Sequence, residues 1–314
     1  MAMTRFAFVF PGQGSQTVGM LDAWGDHPQV VRTLVEASAA LGEDIGALIA
    51  HGPKEQLDLT TNTQPVMLTA AIACWRVWMA ETGIEPSALA GHSLGEYTAL
   101  VAAGALTLTD ALPLVRFRAS AMQDAVPVGA GAMAAIVGLD AESVRVQCER
   151  ATSECAQPVE AVNFNDPKQT VIAGDRAAVQ KACELLKAAG AKRTLPLPVS
   201  APFHSSLMRP AAERLKARLA ATAISAPRIP VVNNIDVQAE TEPVAIRDAL
   251  YRQAFGPVRW VETIQALRAR AITHVIECGP GKVLAGLAKR IDPELVVGNV
   301  LDPASLAEVK GWLA

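Results

Sequence analysis

The segment Gly91-His92-Ser93-Leu94-Gly95 stands between a short apolar run, Ala88-Leu89-Ala90, and an Ala/Leu-rich stretch that reaches about Ala103, where Gly104 is placed to end it. A chain that passes from buried strand to helix within so few residues needs glycine wherever the backbone approaches too closely for a Cβ. A G-x-S-x-G turn of this kind exposes its serine oxygen at the top of a sheet, with the positive end of the following helix aimed at it. The pattern therefore calls for a strand–turn–helix unit. It makes Ser93 a candidate nucleophile and the Leu94 N–H a candidate oxyanion donor. The competing reading, a Gly-rich turn with an incidental serine, is disfavoured by the flanking elements.

The rest of the chain alternates in the same way. Residues 5–10 (Arg-Phe-Ala-Phe-Val-Phe) read as a buried strand stopped by Pro11-Gly12, and helical periodicity follows over 29–41 and 65–81. Strands alternating with helices predict a mostly parallel sheet with helices on both faces, an α/β fold. Between about 128 and 200 the rhythm changes to strand 131–138, helix 141–152, strands 158–164 and 169–173, helix 175–189 and strand 192–198. That β-α-β-β-α-β order is ferredoxin-like, and Pro127-Val128-Gly129 and the prolines from Pro196 to Pro202 supply turns at its ends. It is expected to be a subdomain, 128–200, inserted into a large domain formed by 1–127 and 201–314. Beyond it, strands are expected over 230–234 and 273–277.

At 314 residues and 51% apolar content there is ample material for a core, and a net charge of −3 speaks against a nucleic-acid partner. Five cysteines without C-x-x-C spacing suggest neither a disulfide framework nor a zinc site. The longest nearly uncharged apolar stretch, Ala125 to Leu139, is shorter than the roughly 18 residues a membrane helix needs. The start, Met1-Ala2-Met3-Thr4-Arg5, has no signal-peptide core. The expectation is a cytoplasmic enzyme with no membrane partner and no metal.

A serine hydroxyl needs a base, and the chain has five histidines. His27 and His51 read as surface-loop residues beside prolines, and His92, adjacent to the serine, is expected to point elsewhere. His204, in the proline-bearing loop Val199-Ser200-Ala201-Pro202-Phe203-His204, is favoured over His274, which sits inside an apolar strand pattern. The loop Phe10-Pro11-Gly12-Gln13-Gly14-Ser15-Gln16 lacks the spacing of a phosphate cradle. Either it is a simple turn or its Gln13 N–H is a second oxyanion donor. A helix over 110–123, capped by Thr109, places Ala111, Val115, Arg118 and Met122 on one face. Arg118 then lies in an apolar stripe, where it either pairs with an internal carboxylate or clamps a substrate carboxylate bidentately.

Taken together, Phe8-Val9-Phe10-Pro11-Gly12-Gln13-Gly14-Ser15-Gln16, Gly91-His92-Ser93-Leu94-Gly95-Glu96, Asn163-Phe164-Asn165, Pro198-Val199-Ser200 with His204, and Gly279-Pro280-Gly281 closely resemble the malonyl-CoA:acyl-carrier-protein transacylases of fatty-acid synthesis. The resemblance runs through essentially the whole chain. It implies an α/β-hydrolase-like large domain with a ferredoxin-like subdomain. It also implies Ser93 as acylated nucleophile, His204 as its base, Gln13 and Leu94 as oxyanion amides, and Arg118 as the clamp on the malonyl carboxylate. The backbone carbonyl of Gln253, in place of an acid, would orient the histidine. Malonyl-CoA is then the substrate and a phosphopantetheinylated acyl carrier protein the partner, with no bound cofactor.

Phe203 departs from the bacterial fatty-acid pattern, which often has serine there, and matches malonyl-selecting acyltransferases of polyketide synthases. Phe203 and Met122 are expected beside the substrate, and the pathway stays open between the two. Lys192-Arg193, Lys289-Arg290 and Arg209 are candidates for docking an acidic carrier. Two rivals remain: a thioesterase or esterase that uses His274, and a non-catalytic scaffold.

Overall fold

The computed structural model describes residues 4–199 and 201–313; Ser200 of the quoted loop and the start 1–3 lie outside the described residues. Five strands, β1 (Phe6–Phe10), β2 (Ala88–Gly91), β7 (Val231–Val232), β8 (His274–Cys278) and β9 (Val296–Val300), form one sheet in the order β7-β2-β1-β8-β9. All its pairings are parallel. β1 is central and fully buried, and its alternation explains why. Phe6, Phe8 and Phe10 face the helix Thr60–Thr82, where the Phe8 ring meets Trp75 and Trp78 edge-on at 5.7 and 5.3 Å. Ala7 and Val9 face the opposite layer with Trp260 and Leu284. A strand buried on both faces reads as an unbroken apolar run, as Phe6–Phe10 does.

The remaining strands, β3 (Gly131–Val137), β4 (Val159–Asp166), β5 (Gln169–Asp175) and β6 (Arg193–Pro196), form an antiparallel sheet in the order β4-β5-β3-β6. With the helices Ala141–Cys155 and Arg176–Ala188 between them, this is the ferredoxin-like arrangement. Ala134, Ile136 and Ile172 face those helices. Met133, Ala135 and Val171 face the other way, onto Met122, Phe203 and Met208 of the large body. The two bodies are stitched together where the N–H of Phe164 donates to the Val258 carbonyl (3.0 Å) and the N–H of Val258 to the Val162 carbonyl (2.8 Å). The ion pair Arg290–Asp166 (2.7 Å) adds a third link.

Several boundaries differ from the sequence expectations. The helix expected over 65–81 begins at Thr60 and carries Pro65 inside it, early enough to forfeit only one backbone bond. The helix carrying Arg118 is Leu108–Asp124, capped by Thr107 rather than Thr109, because the Thr107 hydroxyl accepts the Asp110 N–H (3.0 Å). Ala111, Val115, Arg118 and Met122 nevertheless all lie on its buried face. Only Val231–Val232 of 230–234 is strand, since Asn233 and Asn234 leave the sheet for the site below. The edge strand β9 escaped the sequence reading. His51 ends the helix Ile45–His51 and so is not a loop histidine, whereas His27, just outside the helix Pro28–Leu41, caps it by accepting the Gln29 N–H. Among the described residues no helix is long and apolar enough to cross a membrane.

Candidate active site

The site lies at the carboxyl ends of β1 and β2, the edge where parallel sheets bind ligands. Directly after β2 the chain turns at Ser93, which has φ 54° and ψ −107°, before the helix Leu94–Ala102. The glycines are there for space. A Cβ on Gly91 would lie 1.9 Å from the Gly95 carbonyl, and one on Gly95 only 2.0 Å from the Phe10 carbonyl oxygen. Close contact with Phe10 packs the Gln13 loop against the turn, and the His92 N–H donates to Phe10 O (3.0 Å). The N–H groups of Gln13 and Leu94 make no hydrogen bond among the described residues, which leaves both free to receive an oxyanion.

His204, itself at φ 65°, meets the serine across the cleft. Its Nδ1 lies 2.9 Å from the main-chain oxygen of Gln253, a pure acceptor, so the proton must sit on Nδ1. Nε2 is therefore the acceptor, and the Ser93 hydroxyl donates to it at 2.7 Å. Burial, reinforced by the Arg118 charge, pushes the His204 pKa down to about 3. The ring is consequently neutral at pH 7, the form a general base requires.

Arg118 is buried and donates to Ser93 Oγ (3.0 Å), to Gln253 Oε1 (3.1 Å) and to Gln64 Oε1 (2.9 Å). Every partner is neutral, its Nε is buried without one, and among the described residues no carboxylate pairs with it. Of the two partners the sequence left open, an internal carboxylate bonded directly to Arg118 is not found among the described residues. The nearest carboxylate that acts on this buried guanidinium is Glu96, which reaches it through the Gln253 amide and not by a direct ion pair. Gln64 also donates to the Gln13 side-chain oxygen (3.1 Å), which ties the guanidinium to the Gln13 loop. Gln13, His92, Ser93, Arg118, Met122, Phe203 and His204 line one cavity of about 140 Å³, small beside the roughly 300–1,000 Å³ of larger ligand sites.

One sequence reading needs revision here, and one holds. His92 does not point away: it lines the same cavity, with Nε2 2.9 Å from Asn165 Oδ1 and its ring tilted on Trp260. The turn bends sharply enough to put consecutive side chains in one cleft. His274, the rival base, starts β8, where its Nδ1 is 2.9 Å from the Thr273 hydroxyl, and it has no contact with Ser93. Three residues were missed altogether. Glu96 is buried and accepts from Asn234 N–H (2.8 Å) and Gln253 Nε2 (2.9 Å). Asn234 holds the turn by accepting the Ser93 N–H (2.7 Å) and donating to the Gly91 carbonyl (2.8 Å). Gln64 supports Arg118. Only Glu96 had a signal, as an acid in an otherwise apolar helix.

A family model described as the acyl transferase domain matches residues 7–292. The chain belongs to that family. The malonyl CoA-acyl carrier protein transacylase of Salmonella typhimurium is 53% identical over 306 residues, 97% of this chain and 98% of that protein. Among solved structures, the acyl-carrier-protein S-malonyltransferase of Burkholderia pseudomallei matches with a TM-score of 0.96 at 64% identity, covering 98% of this chain and 100% of that one. A malonyl-transacylase solved in complex with a type II polyketide acyl-carrier protein matches with a TM-score of 0.96 at 48% identity, over 98% of this chain and 99% of its own. The family to which the quoted motifs bear a resemblance is thus the one whose members align with the chain from end to end, and the α/β architecture is shared with them.

Proposed function

We propose that this acyltransferase moves a malonyl group from malonyl-CoA to the phosphopantetheine thiol of an acyl carrier protein through a malonyl ester on Ser93. The observation that carries the reading is Arg118, a buried cation 3.0 Å from the nucleophile whose direct hydrogen-bond partners are all neutral. It asks for an acyl group that ends in a carboxylate. His204 Nε2 takes the Ser93 proton as Oγ attacks the thioester carbonyl, and the Gln13 and Leu94 amides receive the tetrahedral oxyanion. Collapse expels coenzyme A as its thiol, protonated by His204. The carrier thiol then attacks the ester along the same path in reverse. Gln253 keeps the histidine in the reactive tautomer, and Met122 and Phe203 wall the acyl pocket. The scheme calls on no metal or cofactor beyond the substrate thioester.

The cytoplasm, where both thioesters are expected, is the location we assign. For the carrier's docking surface, Arg209 is the strongest of the sequence candidates. Its guanidinium is exposed and stacks 4.4 Å above the Phe255 ring, which packs with Phe203. Lys192 and Arg193 are exposed on the subdomain edge, while Lys289 and Arg290 are engaged by Pro293 and Leu295 carbonyls and by Asp166. A polyketide carrier is the second reading for the acceptor, favoured by Phe203 in the pocket and by the polyketide complex among the relatives.

Mass spectrometry after mixing the protein with malonyl-CoA alone should show one malonyl adduct, on Ser93. An active preparation that transfers malonyl without forming the adduct refutes the scheme. Offering fatty-acid and polyketide carriers to the malonylated protein then discriminates between the acceptors.

A further inference from the structure

Glu96 is a buried acid beside the nucleophile to which the reaction assigns no task. Third in the helix Leu94–Ala102, it is 2% exposed, and a single oxygen, Oε2, takes both of its hydrogen bonds. One comes from Asn234 N–H, and the Asn234 side chain clamps Ser93 and Gly91. The other comes from Gln253 Nε2, which also donates to the Ser93 carbonyl (3.0 Å). A primary amide has one donor end and one acceptor end. With its donor end held by two acceptors, Gln253 must turn Oε1 towards Arg118, as observed at 3.1 Å. Glu96 thus decides which end of the amide the guanidinium meets. It is also the carboxylate whose charge reaches Arg118 through one amide, both groups being buried.

Building on the malonyl reading above, we infer that Glu96 is a positioning residue: relayed by Gln253, its carboxylate holds and balances Arg118 before substrate binds, and it takes up a proton when the substrate carboxylate occupies the guanidinium. Two carboxylates sharing one buried cation do not both remain ionised. The proton comes from solvent, one for each malonyl carboxylate that binds while Glu96 is ionised, so the buried set then keeps its net charge. Glu96, Asn233 and Glu240, with four apolar side chains, line a small cavity beside the carboxyl. Burial, opposed by its hydrogen bonds and by Arg118, raises the Glu96 pKa to about 7. Three other groups near it keep one charge state between pH 6 and pH 8. Tyr97 is pushed up to about 12, His204 down to about 3, and Asp236 is tied to Arg252 at 2.6 Å. Glu240, in the loop beyond β7, is common to every variant compared.

The test is Glu96→Gln, whose amide oxygen can accept both hydrogen bonds without the charge. KM for malonyl-CoA should rise about tenfold between pH 6 and pH 8 in the wild type, as one group with a pKa of about 7 loses its proton. In Glu96→Gln that rise should vanish, and with acetyl-CoA neither protein should show it. If the variant does not fold, calorimetry on Ser93→Ala in buffers of different ionisation enthalpy reads the proton directly. Malonyl-CoA should take up about half a proton more than acetyl-CoA at pH 7. Superimposable pH profiles for wild type and Glu96→Gln, or equal uptake with the two thioesters, overturn the inference alone. A wild-type protein that forms no malonyl-serine overturns the malonyl reading as well.

Discussion

Replacing Arg118 with alanine removes three hydrogen bonds and the one positive charge at the nucleophile, and its effect can be sized from those contacts. Truncating one member of a buried, hydrogen-bonded charge pair costs about 2–5 kcal/mol. At about 1.4 kcal/mol per factor of ten, malonyl transfer should lose roughly 30- to 4,000-fold in kcat/KM. Acetyl transfer has no carboxylate to lose. It suffers only the indirect damage: Gln64 and Gln253 each left with an unpaired oxygen, worth about 1–3 kcal/mol apiece in stability. The discriminating quantity is therefore the acetyl-to-malonyl ratio of kcat/KM, in which damage common to both substrates cancels. It is measured by following each radiolabelled thioester onto a carrier protein, with a melting curve to confirm folding. The ratio should rise by at least about tenfold. An unchanged ratio in a folded variant would show that Arg118 supports the site without reading the carboxylate.

His204→Ala should lower transfer by about 10²–10⁴-fold, whereas His274→Ala should leave it within a few-fold; the reverse ranking would restore the hydrolase-type reading. Because burial holds the His204 pKa near 3, the rate of acylation should show no acid limb near pH 6.5, and a limb there would mean that the base is more exposed than it is in the structure. Gly95→Ala should abolish soluble expression or lower the melting temperature steeply, since its Cβ would lie 2.0 Å from the Phe10 oxygen; a near-native melt would contradict the packing of the two loops. Glu277 is buried with Oε1 unpartnered, and burial raises its pKa from 4.5 to about 7. The folded state thus keeps its proton while the unfolded chain loses it, so stability falls as pH rises from 4.5 to 7. Glu277→Gln should flatten that fall, and parallel melting profiles for variant and wild type would refute it.

What the sequence determined by itself is whatever short-range sterics and periodicity dictate. Gly91 and Gly95 must flank Ser93 because neither position tolerates a Cβ, and this is legible as G-x-S-x-G without knowing what crowds them. The alternation of Phe6, Phe8 and Phe10 with Ala7 and Val9 announces a buried strand. The change of rhythm after 128 announces antiparallel pairing. Arg118 is recognisable as misplaced charge on an apolar helix face, although the pattern alone leaves its partner undecided.

The tertiary structure decided partners. Gln64, Glu96, Asn234 and Gln253 come from well-separated stretches of chain, and nothing local to any of them predicts that one carboxylate would orient an amide that in turn presents a guanidinium to a serine. The same holds for His92, which local reasoning turned away from the site and the bend of the chain turned into it. Turn geometry is a property of a few consecutive residues. The charge state and direction of a buried polar group depend on every element packed around it, and so they exist only once the fold has closed.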